Sequence, residues 1–223
     1  MLKRLPPDRA AELVERASVA PLSNPRVSYP RWYLHRWHFL PEGYLSRRSA
    51  AGYDHLVRPV YTQLNERSAI AAVVRSLQDL APRSVLEVGC GPGHMMKAIA
   101  ESGLDADLVG IDLSPFLLER ARKRVPRGRV RYVHADGTSL PAGEGEFDAV
   151  VASHYVGHMP ADVRDLAAAE LARVVRPGGS VIVVEHPWHA WPKPATLRSV
   201  ASKSLNFGLM RVSEYEHFES GAK

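Results

Sequence analysis

Cysteine is almost absent from this chain: of 223 residues, only Cys90 carries a thiol. An intramolecular disulfide and a cysteine metal cluster are both excluded. Also missing is any apolar run near the ~18 residues that a membrane-spanning helix needs. Met1 to Ala20 carries charges throughout, unlike the apolar core of a secretory leader, so the expected location is cytoplasmic. No G-x-x-x-x-G-K-[ST] phosphate loop and no G-x-G-x-x-G dinucleotide fingerprint occurs. Internal repeats and low-complexity tracts are lacking too, which leaves one globular unit with additions. An apolar content of 45% is enough for its core.

What charge there is lies unevenly. The net charge is +5; residues 1–60 hold ten Arg or Lys against five Asp or Glu, leaving nineteen of each for residues 61–223. Within the basic part, Tyr29-Pro30-Arg31-Trp32-Tyr33-Leu34-His35-Arg36-Trp37-His38-Phe39-Leu40 interleaves aromatics with arginines. One reading makes residues 26–48 a contact for a membrane surface, nucleic acid or another anionic partner. The preferred reading packs the aromatics on the core and leaves the arginines in water.

The most informative stretch is Val85-Leu86-Glu87-Val88-Gly89-Cys90-Gly91-Pro92-Gly93, an apolar run breaking into three alternating glycines before a helical segment. A strand-turn-helix junction of this kind brings bare backbone and unpaired N–H groups to a ligand. About 20 residues on, Val109-Gly110-Ile111-Asp112 reads as a second buried strand ending in a carboxylate, where doubly wound folds hold ribose hydroxyls. Periodicity and punctuation predict helices over 8–17, capped by Asp8, and over 65–80, capped by Asn65 with Ile70, Val73, Val74 and Leu77 as its apolar stripe. They also predict strands at 84–89, 107–111, 129–134, 147–152 and 180–185, alternating with helices at 93–102, 114–124 (capped by Ser114) and 160–175. Continuous runs such as Val181-Ile182-Val183-Val184 suit a parallel sheet buried on both faces.

From Ser84 to Glu185 the chain resembles the class I S-adenosylmethionine-dependent methyltransferases. The glycine stretch is similar to that family's first motif and Gly110-Ile111-Asp112-Leu113-Ser114 to its second. Val133-His134-Ala135-Asp136-Gly137 resembles the third, Phe147-Asp148-Ala149-Val150-Val151-Ala152 the fourth, and Leu171 to Gly179 the turn before the fifth strand. The resemblance implies an α/β, doubly wound Rossmann-like, mostly parallel sheet with helices on both faces. It divides the chain into an N-terminal extension and lid (1–64), a cofactor-binding core (65–185) and a substrate-side segment (186–223). The family's sheet closes with two further strands, and only one candidate is found, at Phe207 to Tyr215. The C-terminal strands are therefore expected to be missing or incomplete, from a shortened sheet, a fragment of a longer protein or completion by a partner. The exposed edge favours a homodimer or a C-terminal extension.

By the same resemblance the cofactor is S-adenosyl-L-methionine. Glu87 is implied to meet its amino group, Asp112 its ribose hydroxyls and Asp136, beside Gly137, its adenine amine, unless Asp136 only caps a turn. Gly89, Cys90, Gly91 and Gly93 form the turn around it, with Leu113 and Ser153 alongside; the preferred reading of Cys90 is a small residue at a crowded bend. Ala51-Gly52-Tyr53-Asp54 resembles the element preceding the core in the ubiquinone/menaquinone branch, which puts Tyr53 near the sulfonium on a movable lid. After the fourth strand, His154, Tyr155 and His158 are the catalytic candidates, His154 foremost as the base; otherwise these side chains merely line the pocket. His186-Pro187-Trp188-His189-Ala190-Trp191-Pro192 is the expected second wall, its two tryptophans holding a planar acceptor. No metal is expected, since no acid joins the histidines at ligand spacing. The absence of an Asn/Asp-Pro-Pro-Tyr/Phe tetrad and of a Pro-Cys nucleophile argues against DNA. The implied function is methyl transfer to a small apolar or aromatic acceptor, such as a quinone precursor or secondary metabolite. The alternatives are an RNA or protein methyltransferase using the basic segment and a non-catalytic cofactor-binding sensor or assembly subunit.

Overall fold

In the computed structural model, which describes residues 4–58, 63–125, 128–189, 191–205 and 209–218, the alternating elements form one sheet. Its strands are β1 (Ser84–Val88), β2 (Asp107–Asp112), β3 (Val130–His134), β4 (Phe147–Ser153), β5 (Val175–Glu185), β6 (Leu197–Leu205) and β7 (Met210–His217). The order is β3-β2-β1-β4-β5-β7-β6. Strands β1 to β5 pair in parallel, and β7 runs antiparallel to both β5 and β6. The helices are α1 (Pro7–Ser18), α2 (Arg47–Gly52), α3 (Gln63–Leu80), α4 (His94–Glu101), α5 (Pro115–Arg124) and α6 (Ala161–Val174). Among the described residues no helix is long and apolar enough to cross a membrane.

The two-residue period of a strand explains the two faces. Leu86 and Val88 of β1 pack with Leu171 and Val174 of α6, while Val85 faces Val73 and Leu77 of α3 and Met96 and Ile99 of α4. Since both faces are covered, the parallel strands read as unbroken apolar runs. Strand β1 lies between β2 and β4, so the chain reverses its winding there and opens a crevice at the strands' C-terminal ends.

Two C-terminal strands, β6 and β7, are present where at most one was expected, which brings the sheet to seven strands. Strand β6, Leu-Arg-Ser-Val-Ala-Ser-Lys-Ser-Leu, escapes sequence reading because it is an exposed edge strand, interrupted by a register shift between Ser199 and Ala201. Strand β7 begins at Met210; Phe207, the start expected for it, lies outside the described residues. Helix α3 already includes Gln63, which puts Asn65 inside the helix instead of at its cap. Pro6, not Asp8, occupies the N-cap of α1, and Asp8 sits in the first turn, where its charge suits the helix dipole. The Ser114 cap is as expected: its hydroxyl accepts the Leu117 N–H at 3.2 Å.

The N-terminal extension makes a third core. Leu13, Tyr33, Trp37, Tyr44 and Leu45 pack against Leu113, Phe116 and Leu117 at the start of α5. The aromatics of the basic stretch thus turn inward, apart from the exposed Phe39. Polar ties fix the docking. The Asn24 N–H donates to His134 Nδ1 at 2.9 Å, and His134 Nε2 lies 3.0 Å from the Leu113 carbonyl. Arg47 grips Glu119 through two bonds of 2.8 and 2.9 Å. Helix α2 runs on into a π-helical turn, Tyr53–Val57, in which the buried Asp54 carboxylate accepts from His94 (2.9 Å), Arg120 (2.6 Å) and Arg124 (2.8 Å). Burial alone would raise the Asp54 pKa, but these three donors hold it well below the usual carboxylate range.

Asp54 therefore pins the Tyr53 turn to both helices that flank the glycine loop. Asp54→Ala is expected to lower the unfolding free energy by about 3 kcal/mol, the low end for a broken buried ion pair because the arginines keep some solvent. Urea unfolding measures this, and faster amide exchange confined to residues 44–58 would place the loss in that turn.

Candidate active site

At the C-terminal ends of β1, β2, β4 and β5 the sheet and the extension enclose a cavity of about 480 Å³. Its floor is the glycine turn. The N–H groups of Gly89 and Cys90 both donate to the Ile111 carbonyl, at 2.8 and 2.9 Å, which locks the turn onto β2. Gly91 has φ +51°, and a Cβ built there would meet nothing within 4 Å, so bare backbone faces open space. Gly93 serves packing instead. A Cβ there would come within 2.8 Å of Ala121, so its absence lets α4 approach α5. Cys90 is buried against Gly110, as the small-residue reading requires.

The acids stand at the strand ends. Glu87, at 2% exposure, has one carboxylate oxygen, Oε2, buried without a partner; burial, then the nearby Asp112, pushes its pKa well above the usual range. Asp112 Oδ2 accepts the Gly91 N–H at 2.8 Å and Oδ1 the Ser114 N–H at 2.7 Å. Burial raises its pKa to about 6 against these bonds. Asp136 caps its own turn, Oδ1 accepting from the Thr138 N–H and hydroxyl, both at 2.9 Å.

The segment after β4 divides three ways. Tyr155 lies on glycine backbone: a Cβ at Gly89 would be 2.7 Å from its ring, and one at Gly137 would be 2.0 Å from its hydroxyl. That hydroxyl is buried without a partner, and burial raises its pKa, so Tyr155 packs the floor as a neutral phenol at pH 7. His158 stacks on Trp37 with ring centroids 4.2 Å apart, and its Nε2 lies 3.0 Å from His38 Nε2 and 3.3 Å from the Tyr44 hydroxyl. Burial pushes His38 down to about 4 and His158 to about 3, so both imidazoles are neutral at pH 7. His154 keeps Nε2 buried without a partner, and its Nδ1 is 3.8 Å from Glu185 Oε1. Burial lowers its pKa, opposed by the charge of Glu185.

The catalytic and cofactor-binding candidates chosen from the sequence all line this cavity except Gly93. Of the two tryptophans after β5, Trp188 lines it, stacked on His186 at 4.5 Å, whereas Trp191 turns away toward Tyr215 and the core. Sequence reasoning missed Glu185 and the inner wall of Trp32, Tyr33, Trp37 and Tyr44. Glu185 had a signal: like Glu87 and Asp112, it is an acid within or ending a buried apolar run. Among the described residues no cluster of three or more His, Cys, Asp or Glu could hold a metal.

Glu87's unpartnered buried oxygen and the open backbone face of Gly91 fit a ligand carrying an ammonium group. Residues 85–179 match the methyltransferase domain family. The chain is 34% identical over 122 residues to the demethylmenaquinone methyltransferase of Clavibacter sepedonicus, covering 54% of this chain and 48% of that protein. It is 33% identical over 140 residues to the demethylmenaquinone methyltransferase of Thermus thermophilus, covering 59% and 63%. The chain thus spans from about half to just under two thirds of these curated relatives. The 1,6-didemethyltoxoflavin-N1-methyltransferase of Burkholderia thailandensis, solved with 1,6-didemethyltoxoflavin and S-adenosylhomocysteine, shares the fold at a TM-score of 0.59 and 18% identity, over 78% of this chain and 87% of that one. The cofactor of this family is S-adenosylmethionine.

Asp112→Ala is expected to weaken S-adenosylmethionine binding more than tenfold in calorimetry, because charge-assisted hydrogen bonds of about 1.5–3 kcal/mol each are lost. The wild-type carboxylate must be ionised to accept them. Affinity should hold above pH 7 and decline as pH falls through about 6.

Proposed function

We propose that this chain, whose residues 85–179 make up a class I S-adenosylmethionine-dependent methyltransferase domain, methylates a small, planar, largely apolar acceptor bearing a hydroxyl, such as a quinol or an aromatic secondary metabolite. The carrying observation is the wall opposite the glycine turn: Trp37, Tyr44, Tyr53 and Trp188 line one cavity with the acids of β1 and β2. Flat aromatic side chains are matched in shape and polarity by a flat apolar guest. The likeness to demethylmenaquinone methyltransferases supports a quinol among these acceptors. A polynucleotide acceptor suits the site less well, since most aromatics of the basic extension are packed inward.

When bound, the cofactor supplies a methyl group already activated on a sulfonium, so the protein's work is alignment and exclusion of water. Glu87 would receive the ammonium group, Asp112 the ribose hydroxyls, and the Asp136–Gly137 turn the adenine edge. The ring of Tyr53 would face the positive centre. The aromatic wall orients the acceptor, and His154, with its free Nε2, accepts the hydroxyl proton where one must leave.

Purified chain is incubated with S-adenosylmethionine and, separately, a naphthoquinol, a catechol and transfer RNA, and S-adenosylhomocysteine is quantified. Turnover is expected with the planar hydroxylated acceptors. Trp188→Ala should raise KM for the acceptor by about fivefold, as lost stacking of roughly 1 kcal/mol implies, with cofactor affinity unchanged. Cofactor binding without turnover of either small acceptor would overturn the proposal.

A further inference from the structure

Glu185 is the buried acid of the cavity wall that cofactor binding does not employ. It ends β5 at 5% exposure. Its Oε2 accepts the N–H groups of Val156 and Gly157, both at 3.1 Å, in the turn after β4. Its Oε1 faces the His186 N–H at 3.3 Å, His189 Nδ1 at 3.3 Å and His154 Nδ1 at 3.8 Å. One carboxylate thus joins the ends of β4 and β5 and meets two imidazoles through the same ring nitrogen of each. A carboxylate facing Nδ1 favours the tautomer with the proton on Nδ1 and leaves Nε2 as the acceptor.

A second observation points the same way. His154 sits at φ +51°, a left-handed conformation that non-glycine residues avoid. Its N–H donates to the Val184 carbonyl at 2.8 Å, so the strained residue is held to β5 directly beside Glu185. Strain of this kind persists where the surroundings over-determine it, often at functional sites.

We infer that Glu185 is the positioning residue of the proton-accepting step, holding His189 and His154 as Nδ1–H tautomers whose Nε2 atoms serve as the base. The inference rests on the reading above of a hydroxyl-bearing acceptor. In the step, the acceptor's O–H bond breaks as an Nε2–H bond forms. The oxygen bonds the methyl carbon, and the pair of the broken S–C bond stays on sulfur. The positive charge passes from sulfonium to imidazolium, where Glu185 faces it. Of the titratable groups around this carboxylate, His186 and His189 oppose protonation of His154, and the charge of Glu185 outweighs either of them. His186 contributes a backbone N–H and gives its Nδ1 to the Leu209 carbonyl, His38 and His158 are neutral through burial, and Glu66 adds a second attraction on His154. Burial would raise Glu185, yet the His189 hydrogen bond and the nearby His154 keep its pKa below the usual value, so it is ionised when the imidazole gains its proton.

The test is Glu185→Gln, whose amide oxygen can still accept the Val156 and Gly157 N–H groups while its NH₂ group confronts Nδ1 and demands a lone pair there. Nitrogen-15 NMR of the imidazoles in cofactor-free protein is expected to show His189 protonated at Nδ1 in the wild type and at Nε2 in Glu185→Gln. A wild-type His189 protonated at Nε2 overturns the inference without any assay of turnover, so its failure is distinct from failure of the acceptor assignment. With a hydroxylated acceptor, kcat should fall about 10²-fold or more, the acidic limb of the pH–rate profile should move to lower pH, and cofactor affinity should stay within about twofold. A wild-type kcat in Glu185→Gln overturns the inference as well. Should that variant fail to fold, His189→Asn carries the kinetic arm: the same loss of kcat supports the role, and an effect on acceptor KM alone refutes it.

Discussion

One carboxylate ties the floor of the cavity to its roof. Asp112 accepts the Gly91 N–H with one oxygen and the Ser114 N–H with the other. The Ser114 hydroxyl, which caps α5, donates to the Tyr44 carbonyl at 2.6 Å. The glycine turn, the start of α5 and the aromatic extension are therefore held in register by a chain of three hydrogen bonds around a buried acid. The cost of that burial is visible in the raised pKa, which backbone N–H donors, Ser114 and Gly91 foremost, oppose. If the acid were replaced, the loss would spread through the cavity floor, because the turn and the helix start would each lose an acceptor.

The extension reinforces this arrangement from the other side. Its aromatics would form a poor core alone; against Leu113, Phe116 and Leu117 they close one wall of the crevice. The Asp54 contacts with His94, Arg120 and Arg124 then join that wall to the helices flanking the glycine turn. The glycine turn and the aromatic wall are two sides of one packed body, and the His38–His158 contact ties the extension to the turn after β4.

Much of this was legible in the chain. The parallel strands announce themselves because both their faces are buried, and the acids Glu87 and Asp112 stand out because they break or end apolar runs. Strand β6 was illegible for the opposite reason: an exposed edge needs no apolar pattern, and its serines and lysine resemble a loop. The direction of the aromatic stretch at Tyr29–Leu40 could not be read from composition, since arginine-rich aromatic segments suit either a surface or a core. Trp188 and Trp191 lie three residues apart, and only tertiary packing sends one into the cavity and the other to the core. Glu185 was readable by the logic applied to Glu87. His189 carried no signal beyond its place after β5.

Part of the chamber's wall comes from outside the stretch that matches the methyltransferase family. Residues 85–179 contain the glycine turn, Asp112 and Asp136, whereas Trp37, Tyr44 and Tyr53 precede that stretch and Glu185, Trp188 and His189 follow it. The stretch that carries the family match thus leaves an aromatic share of the cavity wall to the segments that flank it. Two proteins could share the first almost residue for residue and still methylate unrelated molecules, so selectivity in this architecture can diverge by exchange of the flanking segments while the donor-binding half stays unaltered.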